Sequence, residues 1–145
     1  RDKNMLYSIM IVDDSLPMRA VIKRTLNAAG YGGSHLLEAA NGEEALALMK
    51  NSWVDLVITD YNMPVMDGLA FVKAMKEQEL FQDIPVVVVS TEGNQSRIDE
   101  FMNAGAAGYV TKPFTAEAIR DVIVTILGEA DYEDTTDDGD DDFDF

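Results

Sequence analysis

Cysteine is absent from the 145 residues, so neither a disulfide framework nor a thiolate metal site is available. Long apolar runs are absent too. None approaches the ~20 residues needed to span a bilayer, and no signal-peptide pattern opens the chain. Bases are scarce: 11 Lys and Arg stand against 27 Asp and Glu, for a formal net charge of −16. That balance argues against nucleic acid as a partner, because nonspecific binding runs on Lys/Arg contacts to phosphate. The expectation is a cytoplasmic protein with no membrane partner. Histidine occurs once, at His35, and tryptophan once, at Trp53.

What is present is enough for one domain with a real core. The hydrophobic fraction of 47% is ordinary for a globular protein. The charge is unevenly spread. Glu129 to Phe145 holds ten acids and no base, which leaves 17 acids against 11 bases in residues 1–128. The expected organisation is a folded domain over 1–128 and an acidic, disordered tail over 129–145, where one charge dominates and apolar periodicity is missing. Phe143 and Phe145 give that tail the look of a short docking motif. Simple solvation is the leading reading. The alternative is a tether for a basic partner surface.

The chain is organised around residues 54–68. An apolar run from Val54 to Thr59 stops at Asp60, and a turn with Pro64 and Gly68 follows before a helical pattern begins. Such runs read as buried parallel strands covered by helices on both faces. Four more strands are expected at Tyr7–Val12, His35–Ala39, Ile84–Val89 and Ala107–Thr111. Helices are expected after each: from Pro17 to Ala29, over Glu43–Lys50, Leu69–Gln78 and 95–104, and from a Thr115 cap to a Gly128 stop. Strands alternating with helices argue for an α/β fold with a five-stranded, doubly wound parallel sheet. Order 2-1-3-4-5, the flavodoxin-like one, is the choice among the remaining topologies.

In a parallel sheet the carboxyl ends of the strands share one edge, where ligands bind. Strand one delivers Asp13 and Asp14 there, strand three Asp60, strand four Ser90 and Thr91, and strand five Lys112. Three neighbouring carboxylates repel one another and call for a cation. Oxygen-only ligation suits Mg²⁺, with Mn²⁺ as a substitute. A hydroxyl and an ammonium beside it suit a transferred phosphoryl group, and Asp60 is the candidate nucleophile.

These residues stand in the runs Val12-Asp13-Asp14-Ser15, Thr59-Asp60-Tyr61-Asn62-Met63-Pro64, Asp67-Gly68, Val89-Ser90-Thr91-Glu92 and Tyr109-Val110-Thr111-Lys112-Pro113-Phe114. Together, in this order, they resemble a response-regulator receiver domain of the CheY-like type, over about residues 5–128. The resemblance implies a phosphorelay switch with Asp60 as phosphoacceptor. Mg²⁺ would be held by Asp14, Asp60 and the carbonyl of Asn62, with Asp13 acting through water. Lys112 and Ser90 would bind the phosphoryl group, Ser90 and Tyr109 would move on activation, and Asn62 and Glu92 would tune dephosphorylation. The Lys112-Pro113 bond would be cis. A histidine kinase or phosphotransfer protein would donate the phosphoryl group. An output protein, unknown from the sequence, would bind the face of helix four, strand five and helix five, with the chain acting as a monomer. The departures are Ser90 where Thr is frequent, Tyr61 where the best-known chemotaxis members carry Trp, and a slightly lengthened stretch after Gly30.

Plainer readings stand beside these. Asp13-Asp14 can cap a helix, Lys112 can be a surface lysine and Tyr109 can be core packing. His35 reads as a half-buried strand residue, Trp53 as packing, and Met63 and Met66 as loop packing. Three other functions compete with the switch. A haloacid-dehalogenase-like phosphatase needs Asp-x-Asp after strand one, where adjacent Asp13-Asp14 stands. A flavin module needs a phosphate-cradling loop at the same place. The third is a receiver cut from a larger regulator.

Overall fold

The computed structural model describes residues 7–128. The acidic stretch 129–145 lies outside them, as do the expectations placed on it. In chain order the elements are β1 (Ser8–Val12), α1 (Leu16–Leu26), β2 (His35–Ala39), α2 (Gly42–Met49), β3 (Leu56–Asp60), α3 (Gly68–Lys76), β4 (Val86–Ser90), α4 (Gln95–Ala104), β5 (Gly108–Thr111) and α5 (Ala116–Leu127). The strands pair in parallel in the order β2-β1-β3-β4-β5, as the sequence pattern predicts.

Strand alternation sorts the core into two layers. Met10, Val12, Val57, Val86 and Val88 face one way and pack with Ala45 and Met49 of α2, Phe71, Val72 and Met75 of α3 and Phe101 of α4. Ile9, Ile11, Leu56, Ile58, Val87 and Val89 face the other way, against Ile22 and Leu26 of α1 and Ile119 and Ile123 of α5. All of Val86–Val89 are buried, the result expected of a β-branched run with no polar alternation.

Each helix begins at a side-chain cap worth about 1 kcal/mol. Ser15, Asn41, Asp67, Asn94 and Thr115 accept from the backbone N–H of Met18, Glu44, Ala70, Arg97 and Ala118 respectively. Gly105, with φ 113°, ends α4 in the left-handed conformation that glycine tolerates best. Gly128, with φ 93°, follows α5 as expected.

Several boundaries differ from the sequence reading. α1 stops at Leu26, and a wider helical turn over Asn27–Tyr31 carries the chain past Gly30. β3 begins at Leu56 because Asp55 is used otherwise: its carboxylate accepts from the Ser8 N–H at 2.8 Å. β3 also runs through Asp60, which pairs with Val89. The acceptor candidate is thus held by the ladder itself. Two residue readings are corrected. Trp53 is 79% exposed rather than packed, its indole N–H donating to Asp55 Oδ1 at 2.9 Å. His35 is exposed rather than half-buried, at the open start of the edge strand β2, whose far end at Ala39 is buried. Met63 is buried and Met66 packs beside it, as loop packing requires.

Candidate functional site

The edge formed by the ends of β1, β3, β4 and β5 gathers the predicted residues. Carboxylate oxygens of Asp13, Asp14 and Asp60 all lie within 4.8 Å of one another, with Asp13 buried, Asp14 exposed and Asp60 between. Lys112 Nζ sits 3.1 Å from Asp60 Oδ1 and 4.0 Å from Asp13 Oδ2. Lys112 reaches there because β5 ends at Thr111 and its own N–H bonds the Ser90 carbonyl at 2.7 Å. The Lys112-Pro113 bond is cis, as expected.

Asp13 carries the electrostatic tension. Its Oδ1 accepts from the Ser15 N–H at 2.8 Å, whereas its buried Oδ2 has no hydrogen-bond partner. Burial pushes its carboxyl above the ordinary range, and the charges of Asp60 and Asp14 add to this, against the Ser15 N–H and Lys112. A buried carboxylate oxygen with no hydrogen bond, beside two more carboxylates, is a donor set that fits a hard divalent cation. The capping reading of this pair fails on a simple point: the side chain that caps α1 is Ser15.

The loop after Asp60 is drawn tight. The Gly68 N–H bonds the Tyr61 carbonyl at 2.8 Å. A Cβ on Gly68 would fall 2.4 Å from the Asp60 carbonyl oxygen, so the start of α3 can approach this strand end only as glycine. Between them Val65 has φ 69°, a strained value for a β-branched residue, at the exposed tip of the loop. Asn62 is exposed on the same loop.

Ser90 is buried at the end of β4, and its Oγ accepts from the Glu92 N–H at 3.1 Å. As an acceptor there, it keeps its own O–H to donate. Tyr109 is half-buried, packs on Phe101 and donates its hydroxyl to the Glu92 carbonyl. Its ring packs against the core and its polar tip is bonded as well, so packing and a hydrogen bond to the site loop meet in one side chain. One participant was missed in the sequence. Arg97 of α4 pairs with Glu92 and lies over the ring of Tyr61. Helical spacing cannot show a contact from one element to the loop of another.

A cleft of about 420 Å³ lined by Trp53, Leu80 and Phe81 includes none of these residues. It lies at the start of β3 and β4, on the opposite edge of the sheet.

The family model of the response regulator receiver domain matches residues 9–124. The chain is 39% identical over 121 residues to a chemotaxis protein CheY homolog of Campylobacter jejuni, covering 83% of this chain and 92% of that one. It is 38% identical over 124 residues to the chemotaxis protein CheY1 of Helicobacter pylori, covering 85% and 98%. Among solved structures, the chemotaxis response regulator CheY4 of Vibrio cholerae superposes with a TM-score of 0.76 at 34% identity, covering 85% of this chain and all of that one.

Proposed function

The chain belongs to the response-regulator receiver family of two-component signalling, and from that premise we propose that Asp60 is its phosphoacceptor. Receivers are phosphoacceptor switches rather than conventional enzymes. They take a phosphoryl group from a histidine kinase and act on an output partner. The observation that carries the site assignment is the meeting of Asp13, Asp14, Asp60 and Lys112 at one sheet edge, with Asp13 Oδ2 buried and without a hydrogen bond.

The chemistry follows from the side chains. A carboxylate oxygen of Asp60 attacks phosphorus on the donor. The bond from phosphorus to the donor nitrogen or oxygen breaks, and that atom keeps the electron pair. Lys112, already paired with Asp60, turns its charge to the phosphoryl oxygens, and Ser90 donates its free O–H to one of them. Asp13, Asp14, Asp60 and the Asn62 carbonyl are the groups that would hold Mg²⁺ or Mn²⁺. The ion supplies positive charge that offsets both the carboxylates and the incoming phosphoryl group. Hydrolysis returns Asp60 to the carboxylate, and Asn62 and Glu92, on the flanking loops, set its rate.

In this reading Ser90 and Tyr109 transmit the event, because both bond the backbone of Glu92. Their movement reshapes the face of α4, β5 and α5, where an output protein binds. Residues 1–128 form the receiver, which works as a cytoplasmic monomer and leaves the acidic stretch outside the switch. Among the described residues no helix is long and apolar enough to cross a membrane.

The experiment is labelling with acetyl phosphate and Mg²⁺. Wild type should gain one acid-stable, base-labile phosphoryl group, and Asp60→Asn should gain none, since an amide is no nucleophile. Labelling of Asp60→Asn at the wild-type rate would place the acceptor elsewhere. Slow turnover of a chromogenic phosphomonoester with no trapped phosphoprotein would favour the phosphatase reading instead.

A further inference from the structure

Glu92 is held at three of its atoms. Its N–H donates to Ser90 Oγ, its carbonyl accepts from the Tyr109 hydroxyl, and its carboxylate Oε1 lies 3.3 Å from Arg97 Nε. Arg97 reaches further. Its Nη1 is 2.8 Å from Glu100 Oε1, and its guanidinium carbon stands 4.5 Å from the ring centroid of Tyr61, the residue directly after Asp60. Tyr61 meets Phe101 edge-on at 5.4 Å, and Phe101 packs on Tyr109 at 5.7 Å. The contacts close into a ring that runs Glu92, Arg97, Tyr61, Phe101, Tyr109 and back to Glu92. Asn94 fixes the turn that carries Arg97 by accepting from its backbone N–H at 2.8 Å. Only a planar guanidinium can lie on an aromatic face and still present edge N–H groups to two carboxylates.

We propose that Arg97 is a positioning residue for phosphoryl transfer at Asp60, acting through Glu92. It holds the Glu92 carboxylate against α4 and cancels its charge at the rim of the site. This rests on Asp60 being the acceptor. Glu92 lies two residues past Ser90 and its N–H donates to the Ser90 hydroxyl, which puts the carboxylate on the loop beside the site. That donor is anionic, and the site already holds three carboxylates against one lysine. Without Arg97, a fourth negative charge stands free at the entrance. Arg97 and Glu92 side chains are 24% and 41% exposed, so water and salt screen the effect. The expected loss in phosphorylation rate constant at low ionic strength is about three- to ten-fold, the size of one or two screened charge interactions.

The test measures phosphorylation by acetyl phosphate with Mg²⁺ in the full chain, at low salt and at about 0.5 M salt, where the Debye length falls to roughly 4 Å. Arg97→Gln should lose rate at low salt and recover most of it at high salt. Arg97→Lys, which keeps the charge and disturbs the fold least, should fall between Arg97→Gln and wild type. Whatever rate Glu92→Gln sets for itself, adding Arg97→Gln to it should leave that rate unchanged. A merely structural Arg97 would lose the same factor in both Glu92 backgrounds and at both salt concentrations, and that result overturns the proposal. So does Arg97→Gln at the wild-type rate. Labelling of Asp60→Asn in the same series would instead overturn the acceptor assignment beneath it.

Discussion

Replacing Asp13 by Asn should make the metal-free protein more stable while removing most of its response to Mg²⁺. Asn keeps the shape and keeps an oxygen for the Ser15 N–H, 2.8 Å away. It exchanges the buried Oδ2, which has no hydrogen bond, for an N–H₂ that can donate to the neighbouring carboxylates. Like charges no more than 4.8 Å apart cost at least roughly 3 kcal/mol per pair at an effective dielectric constant near 20. The exposed Asp14 contributes less than that, and Lys112, 4.0 Å from Asp13, gives back about 4 kcal/mol. With the desolvation of Asp13 added, the net gain for Asn is about 2 kcal/mol. For a domain of this size that is a rise in Tm of roughly 6 °C.

The sign of the pH dependence gives an independent check. Asp13 has its carboxyl raised in the folded state, so the fold binds more protons than the unfolded chain just above the ordinary Asp value of 3.8. Stability attributable to this group therefore falls as pH rises through that window, up to the folded pKa, and stays low above it. Asp13→Asn should flatten this part of the metal-free profile. The assay is calorimetry in a chelator from pH 4 to 8, repeated in rising Mg²⁺. Wild type should gain stability with Mg²⁺ by linkage, about 2.7 kcal/mol at a hundred times the dissociation constant. Asp13→Asn should gain much less. A metal-free Asp13→Asn that melts below wild type, or an equal Mg²⁺ response in both, would refute the reasoning.

Three further outcomes are expected. Lys112→Ala should bind Mg²⁺ several-fold more tightly, because the cation that competes for the carboxylates is gone, yet label at least ten-fold more slowly with acetyl phosphate; isothermal titration and the labelling rate check the two halves. Asn62→Arg should lengthen the phosphorylated lifetime, and a wild-type phosphoprotein stable for hours in Mg²⁺ would contradict the proposed tuning by Asn62 and Glu92. Truncation after Gly128 should leave Asp60 labelling unchanged; equal capture of a basic partner at every salt concentration would mark the stretch as solvating, weaker capture at low salt only as a tether, and faster labelling would point to autoinhibition.

Much of the site is legible in the sequence because topology does the converging. Once Val57–Thr59, Val86–Val89 and the other apolar runs are read as parallel strands, whatever follows each run must share one edge, so Asp13, Asp14, Asp60, Ser90 and Lys112 meet without any distance being known. Burial of residues beside a strand is less legible. Trp53 precedes β3 and can pack inward or lie outside. The hydrogen bond from its indole to Asp55, with Asp55 also tied to the Ser8 N–H, decides for the outside. His35 is exposed for a different reason: it is the first residue of β2, an edge strand that becomes buried only at its far end, Ala39. Least legible is the ring through Arg97. In the sequence Arg97 is one charge on a polar helix. Its meaning comes from α4 lying against the loop after Asp60, so that one guanidinium meets the ring of Tyr61 and the carboxylate of Glu92 together. Strand ends are positioned by the backbone ladder and can be inferred from pattern. A contact between a helix face and a loop depends on side-chain reach across two elements, and that reach is where regulation of an otherwise standard site can be written.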